Sequence, residues 1–213
     1  MEAGSVGKTG FPCLTKHRQK IIFSNRPAEG NTSVDYETIN QAYCNIIAGA
    51  ALAMALRFAG SCNSQAFDVL HNMTRRLMSI SKRSIAELAG KATIEQTICV
   101  LTLSLCIVMA GSGDLEVIRI VRFLRSRVGP KNPTVTYGSH MALHMGLGLL
   151  FLGGGKCTLS TRPEAVAAMV AAFFPKFPTH SNDNRYHLQA LRHLYVLAAE
   201  PRLVIPRDIE KKR

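Results

Sequence analysis

The sequence contains no tryptophan, and aromatic residues make up only 7% of its 213 residues. Because β-sandwiches and barrels are built on aromatic and β-branched surfaces, this scarcity argues against an all-β fold. Charged residues account for only 19%, whereas hydrophobic residues reach 47%. A chain this apolar is not intrinsically disordered, and its length suits one domain of closely packed helices.

Cysteine pairs with the spacing of metal or redox motifs are missing, since the six cysteines form no C-x-x-C sequence. Four of the cysteines lie in or beside apolar stretches, which predicts buried, reduced thiols in an intracellular protein. Residues 1–10 are polar and rich in glycine, so we expect no secretory signal peptide there.

No uninterrupted apolar run reaches the ~20 residues that span a bilayer. The longest runs cover 46–59, 98–111 and 141–155, and Arg57 and His144 interrupt the first and the third. We therefore expect these segments to be buried core helices and expect no membrane association. A small helical membrane protein is the alternative interpretation.

Sequence signatures of catalysis and cofactor binding are incomplete. The run Gly153–Lys156 lacks both the first glycine and the final Ser or Thr of a phosphate-binding loop, and Gly7–Thr9 lacks the first glycine and a preceding strand. His140 and His144 share a helix face, but no third metal ligand is evident. We predict no catalytic residue, cofactor, metal or small-molecule substrate.

An internal repeat is the strongest signal in the sequence. Ala59-Gly60-Ser61 recurs 51 residues later as Ala110-Gly111-Ser112, and Leu152-Gly153-Gly154 follows after another 42 residues. Periods of this length are typical of stacked supersecondary units. Each tripeptide ends an apolar helix rich in small residues, and a fourth such helix covers 187–199. The pattern predicts an all-α fold of about three and a half αα-hairpins, without a confidently predicted strand.

Helix boundaries support this hairpin pattern. Glycine tolerates the left-handed backbone that commonly ends a helix, so we predict structural turns at four glycines. They are Gly60, Gly111, Gly153 and Gly154. Asn63 or Ser64 and Asp114 are predicted to cap the shorter helices. Capping boxes are predicted to begin at Thr38, Thr93 and Thr161.

The net charge of +12 indicates affinity for acidic partners. Arg119, Arg122 and Arg125 fall within about 120° on one side of the helix predicted to begin at Leu115, which makes them the best candidate partner contact. Ubiquitin or an acidic protein would suit this stripe, whereas nucleic acid is less favoured. A stand-alone repeat module that binds an acidic partner is therefore a second functional hypothesis, and a solvated helix face is the simpler interpretation.

Several longer runs match a known family. They are Ile46–Ala50, Arg57–Ser61, Val108–Gly113, Gly148–Gly155 and Asp183–Leu203. From about Tyr36 to Ile209 the chain is similar to the proteasome/cyclosome (PC) repeat region of the largest scaffold subunit of the anaphase-promoting complex.

The resemblance implies both architecture and function. Residues 36–209 would form PC-repeat hairpins in an arc of an α–α toroid, preceded by an unmatched, poorly ordered segment (1–35) and followed by a basic tail (210–213). The chain would be a non-catalytic scaffold of a ubiquitin ligase that controls mitotic progression and the metaphase/anaphase transition. Its partners would be other subunits of that complex, in the nucleus and cytoplasm. Because the family's scaffold is far longer, we expect a fragment or a truncated paralogue.

Overall fold

The computed structural model describes residues 36–80, 89–185 and 187–203. The predictions for the N-terminal segment 1–35 and the basic tail 210–213 lie outside the described residues. Helices account for most of the described chain. In chain order the elements are α1 (Tyr36–Arg57), α2 (Ser64–Ile80), α3 (Lys91–Val108), α4 (Leu115–Arg125), α5 (Tyr137–Leu150), the 3-10 helix η1 (Leu152–Gly155), β1 (Cys157–Leu159), α6 (Pro163–Ala172), the 3-10 helix η2 (Gln189–Ala198) and β2 (Ala199–Pro201).

The long helix α3 forms the centre of the protein, between α1 and α5. Its sequence is apolar on every side, and fourteen of its 18 residues are buried. Two buried threonines donate their hydroxyl protons within the helix, Thr97 to the Thr93 carbonyl and Thr102 to the Ile98 carbonyl, both at 2.8 Å. These bonds satisfy polar groups that would otherwise be costly to bury.

Two helices of the described chain, α1 and α3, are long and apolar enough to cross a membrane. Helix α3 is enclosed by protein, since 78% of its apolar window is buried. This burial agrees with the expectation of a core helix for segment 98–111. The corresponding window of α1 is only 39% buried, so one side of that helix is uncovered.

The shorter helices α2 and α4 are amphipathic, as the sequence predicts. They place Leu70, Leu77, Val117 and Leu124 in the core, and α2 packs against α3 while α4 contacts α3 and α5. Both predicted N-caps are present. The Asn63 side chain accepts from the Ala66 N–H at 2.9 Å, and the Asp114 side chain accepts from the Val117 N–H at 3.0 Å.

The two turns that join these hairpins have the same construction. Gly60 and Gly111 have φ values of 62° and 71°. In each turn the following serine donates its hydroxyl proton at 2.7 Å to the carbonyl three residues earlier. Each turn also donates two backbone N–H groups to consecutive carbonyls at the end of the next long helix. These bonds are Gly60 to Ile107 (2.9 Å), Cys62 to Val108 (3.1 Å), Gly111 to Leu149 (2.9 Å) and Gly113 to Leu150 (3.0 Å).

The third unit departs from the predicted hairpin. Gly153, Gly154 and Gly155 all have positive φ, and the chain continues into β1, which pairs antiparallel with β2. Helix α6 packs against η2 and reaches α1, whereas α5 and α6 share few contacts among the described residues. Three successive left-handed residues redirect the backbone away from α5. The strands were not predicted, and the last helix is a 3-10 helix.

The predicted capping boxes are wrong. Thr38 and Thr93 lie inside α1 and α3, because α1 includes Tyr36 and Glu37 and α3 begins directly after Gly90, which has a φ of 74°. The cap of α6 is Arg162 without a side-chain bond, and Pro163 occupies the first turn. A capping box does occur at Thr136, whose side chain accepts from the Ser139 N–H at 3.3 Å.

Candidate interaction surface

Helix α4 presents the predicted arginine stripe on its solvent side. Its cap at Asp114 fixes where the helix starts, and Val117, Ile120, Val121 and Leu124 point into the core. Arg119, Arg122 and Arg125 are all exposed on the other side. The amphipathic pattern of α4 therefore determines the direction in which these guanidinium groups point.

The three arginines are not equivalent. Arg119 forms a salt bridge with Glu116, one helical turn earlier, and both side chains are well exposed. Arg122 and Arg125 form no ion pair with another described residue. The unbalanced positive charge of the stripe therefore comes mainly from its C-terminal half.

Two histidines of α5, His140 and His144, lie beside this positive region. The rings of His140 and His144 lie 6.3 Å apart, centroid to centroid. Burial lowers the pKa of His144, and the charges of Arg125 and His140 lower it further, which places the Arg125 guanidinium near this ring. No group of three potential metal ligands occurs in the described chain. We call Arg122, Arg125, His140 and His144 the basic surface.

A buried ion pair anchors the end of α4. The Arg127 guanidinium donates to both carboxylate oxygens of Glu95 at 2.7 and 2.8 Å, and its Nε donates to the Leu124 carbonyl at 3.3 Å. The Glu95 side chain is only 5% exposed. This pair fixes the end of α4 against α3. The pair was not predicted from the sequence, although Glu95 is the one acidic residue of the apolar helix α3.

A cavity of about 410 Å³ adjoins this ion pair. Lys91 and Lys131 line it together with Glu95, Arg127 and apolar side chains such as Phe123. The side chains that line the cavity include three basic groups (Lys91, Arg127 and Lys131) and one acidic group (Glu95). The lining of the cavity is therefore richer in basic than in acidic side chains.

All five described cysteines are free. Burial raises the pKa of both Cys99 and Cys106 to about 12, and the nearby Glu95 carboxylate adds to the effect at Cys99. Cys62 is exposed and Cys157 is half-buried. The prediction of buried, reduced thiols therefore holds for Cys44, Cys99 and Cys106, while Cys13 lies outside the described residues.

The predicted turn glycines contact the β1 strand differently. A Cβ on Gly60 would clash with Thr158 Oγ1, and one on Gly111 would clash with the Cys157 carbonyl oxygen. A Cβ on Gly153 would lie 2.5 Å from Cys157 Sγ, whereas Gly154 has no atom within 4 Å of that position. Close approach of β1 therefore adds to the backbone requirement at the first three glycines and not at Gly154.

Arg192 is a structural residue that the sequence analysis missed. It is 4% exposed, and its guanidinium donates to the carbonyls of Phe174 at 2.7 Å and Lys176 at 2.6 Å. The same group lies 4.6 Å from the centre of the Phe177 ring, and burial lowers its pKa to about 10. Arg192 therefore joins η2 to the segment that follows α6.

Comparison with known proteins identifies relatives of this chain. Anaphase-promoting complex subunit 1 of Homo sapiens is 50% identical over 177 residues, which are 83% of this chain and 9% of that protein. The Dictyostelium discoideum protein of the same name is 45% identical over 188 residues, or 83% of this chain and 8% of the relative. A protein of Emericella nidulans named negative regulator of mitosis is 47% identical over 175 residues, or 80% and 8%.

The chain therefore spans about a tenth of the length of these relatives. A family model described as the APC1 fifth domain matches residues 14–200. That match includes every helix and strand described above except the last residue of β2, and it extends upstream into the segment 14–35. The chain belongs to the APC1 fifth-domain family.

Proposed function

We propose that the chain is a segment of a non-catalytic scaffold subunit of the anaphase-promoting complex, a ubiquitin ligase that controls mitotic progression and the metaphase/anaphase transition. The observation that carries this proposal is 50% identity over 83% of the chain to a protein named as a subunit of that complex. The relative named negative regulator of mitosis supports a role in cell division. Other subunits would be its partners, in the nucleus and cytoplasm.

The scaffold segment would be an arc of PC repeats in an α–α toroid. Two features support this finer assignment. The turns at Gly60 and Gly111 have matching hydrogen bonds, and α1, α3 and α5 stack side by side. Gly60, Gly111, Gly153 and Gly154 would then be the structural turns of successive repeats. A few such units cannot close a ring, which agrees with the small share of each relative that the chain covers.

Co-purification tests the proposed function. The full chain, carrying an affinity tag and expressed in dividing human cells, should recover cyclosome subunits well above a tag-only control. An Arg192→Met variant loses the bonds that hold the C-terminal segment. It serves as a matched control that shows whether recovery of the subunits depends on an intact fold. Recovery of no cyclosome subunit by the folded wild-type chain would contradict the proposal. The purified chain should also form no ubiquitin chains when supplied with E1 and E2 alone.

A second candidate function is binding of an acidic partner, such as ubiquitin or an acidic protein, through the basic surface. The observation that favours it is the exposure of Arg122 and Arg125 without a described ion-pair partner. The double variant Arg122→Glu/Arg125→Glu should weaken binding to a glutamate-rich peptide and to ubiquitin, and should flatten the salt dependence of binding. Arg75→Glu, at an exposed position of α2, is the control. An unchanged affinity in the double variant would refute this function.

A further inference from the structure

The stack of α1, α3 and α5 has an exposed side on α1 and another on α5. In the sequence register of the repeats, each exposed side is equivalent to a side that is buried between α3 and α5. Gly60, Gly111 and Gly153 hold equivalent places in successive units, so residues of α1, α3 and α5 correspond at offsets of 51 and 42. These offsets allow the observed contact between α3 and α5 to be transferred onto the free sides of α1 and α5.

The observed contact crosses at small residues. Helix α5 turns Ser139, Ala142 and Gly146 towards α3, and all three are buried. A Cβ on Gly146 would lie 2.9 Å from Cys106 Sγ. Near the start of α5, Cys99 Sγ lies 4.0 Å from the Ser139 carbonyl oxygen. Gly146 therefore lies against Cys106 where α5 crosses α3.

On α1 the equivalents of the buried α5 residues are exposed. They form what we call the leading face: Ile46, Gly49, Ala50 and Ala53. Ile46 is 60% exposed, and no atom lies within 4 Å of a Cβ built on Gly49. An apolar helix face of this kind is unusual at a free surface, because each uncovered methyl group forfeits hydrophobic stabilisation.

On α5 the equivalents of the α3 contact residues are largely uncovered too. They form the trailing face: Met141, His144, Gly148 and Phe151. Phe151 is 50% exposed, and a Cβ on Gly148 would meet no atom within 4 Å. The described part of η2 does not occupy this face, since it packs against α6.

The repeat register also shows that the leading and trailing faces fit each other in size at their crossing positions. The observed crossing pair Gly146 and Cys106 corresponds to Ala53 and Gly148. An alanine with a glycine takes no more room than a glycine with a cysteine, so two backbones can approach as closely as α3 and α5 do. Small residues at both free crossing positions fit a helix of the same repeat better than an unrelated partner.

We propose that the chain binds a second copy of itself head to tail, with the leading face of one copy on the trailing face of the next. Such a contact is heterologous, so it leaves a free face at each end and permits open chains. One pair of helices forms an interface at the small end of the specific range, so the association is weak and depends on concentration. This inference rests on the stack geometry and not on the proposed function.

Sedimentation velocity of the full chain over about a hundredfold range of concentration tests the proposal. The wild-type sedimentation coefficient should rise with concentration beyond that of a dimer. Ala53→Arg and Gly148→Arg each place a long charged side chain at one free crossing position, and each should remain monomeric. Ala167→Arg, at an exposed position of α6, should associate as wild type does. Circular dichroism checks that each variant keeps its helix content.

Mixing the two variants gives the sharpest result. An equimolar mixture of Ala53→Arg and Gly148→Arg contains one intact leading face and one intact trailing face, so it should form a 1:1 dimer and nothing larger. A contact between identical faces would instead leave one of the variants associating as wild type does, which would overturn the proposal. A wild-type monomer at every concentration would also overturn it, and would leave a neighbouring repeat of a longer polypeptide as the occupant. Co-purification with cyclosome subunits would be unaffected by either result.

Discussion

Replacing Arg127 by methionine should strongly destabilise the fold, because it leaves the Glu95 carboxylate buried without its partner. In the native protein the guanidinium donates two hydrogen bonds to that carboxylate and one to the Leu124 carbonyl. Glu95 lies near the start of α3, where its side chain is 5% exposed, and Arg127 is 18% exposed. Methionine keeps most of the side-chain volume and removes only the charge and the donors.

The magnitude follows from the burial of the two partners. Removing one member of a buried ion pair costs about 3–5 kcal/mol, since the remaining charge cannot regain its hydration. Arg127 keeps some contact with solvent, so the loss should fall near the lower end, at about 3 kcal/mol. Replacing both residues, Glu95→Leu with Arg127→Met, removes the unpaired charge and should bring stability back to within about 1 kcal/mol of wild type.

Urea unfolding followed by circular dichroism measures the free energy of unfolding of the wild type, of Arg127→Met and of the double variant. A loss below about 1 kcal/mol, or a double variant no more stable than Arg127→Met, would refute this account of the pair.

Three further predictions concern the turns, the thiols and the C-terminal segment. Gly111→Ala should cost about 2–4 kcal/mol, because it combines a left-handed backbone with a clash against β1, whereas Gly154→Ala should cost only about 1 kcal/mol; thermal unfolding compares the two. Ellman's reagent should modify Cys62 rapidly in the folded protein and Cys106 only after unfolding, so rapid modification of Cys106 would contradict its burial. Hydrogen bonds from the Arg185 side chain and from Thr179 hold the pKa of Asp183 below its usual range. The stabilisation by the Asp183 carboxylate is therefore present above about pH 4 and is lost as the pH falls further. In an acid titration, Asp183→Asn should lack that part of the loss of stability.

The helices of the first two units could be predicted because their signals are local. Apolar periodicity located α2 and α4, and the Asn63 and Asp114 side chains each cap the helix that follows. The glycine at each turn repeated at a fixed place in the pattern. These features depend on neighbours within a few residues, which a sequence displays directly.

The third unit could not be predicted, because its structure depends on distant contacts. Strand β1 pairs with β2, which lies 40 to 44 residues later in the chain, and the Thr158 hydroxyl donates to the Gly60 carbonyl at 2.9 Å. Gln96 resembled part of a capping box, but its amide donates to the Pro175 carbonyl at 3.0 Å. Likewise the Arg192 guanidinium is a surface group by composition and becomes buried only through its carbonyl partners.

The hydrogen bonds from each turn to the following long helix make the order of the units directional. Gly60 and Cys62 donate to two consecutive carbonyls at the end of α3, and Gly111 and Gly113 do the same for α5. The carbonyls at the end of each of these helices thus accept hydrogen bonds from the preceding unit. Deleting an N-terminal unit would leave the carbonyls of the next helix without these donors. Deleting a C-terminal unit would leave the N–H groups of the preceding turn without acceptors. The spacing of two residues also leaves no slack inside a turn. Changes of chain length between related proteins should therefore accumulate in the connections between units, such as residues 126–136, and spare the turns.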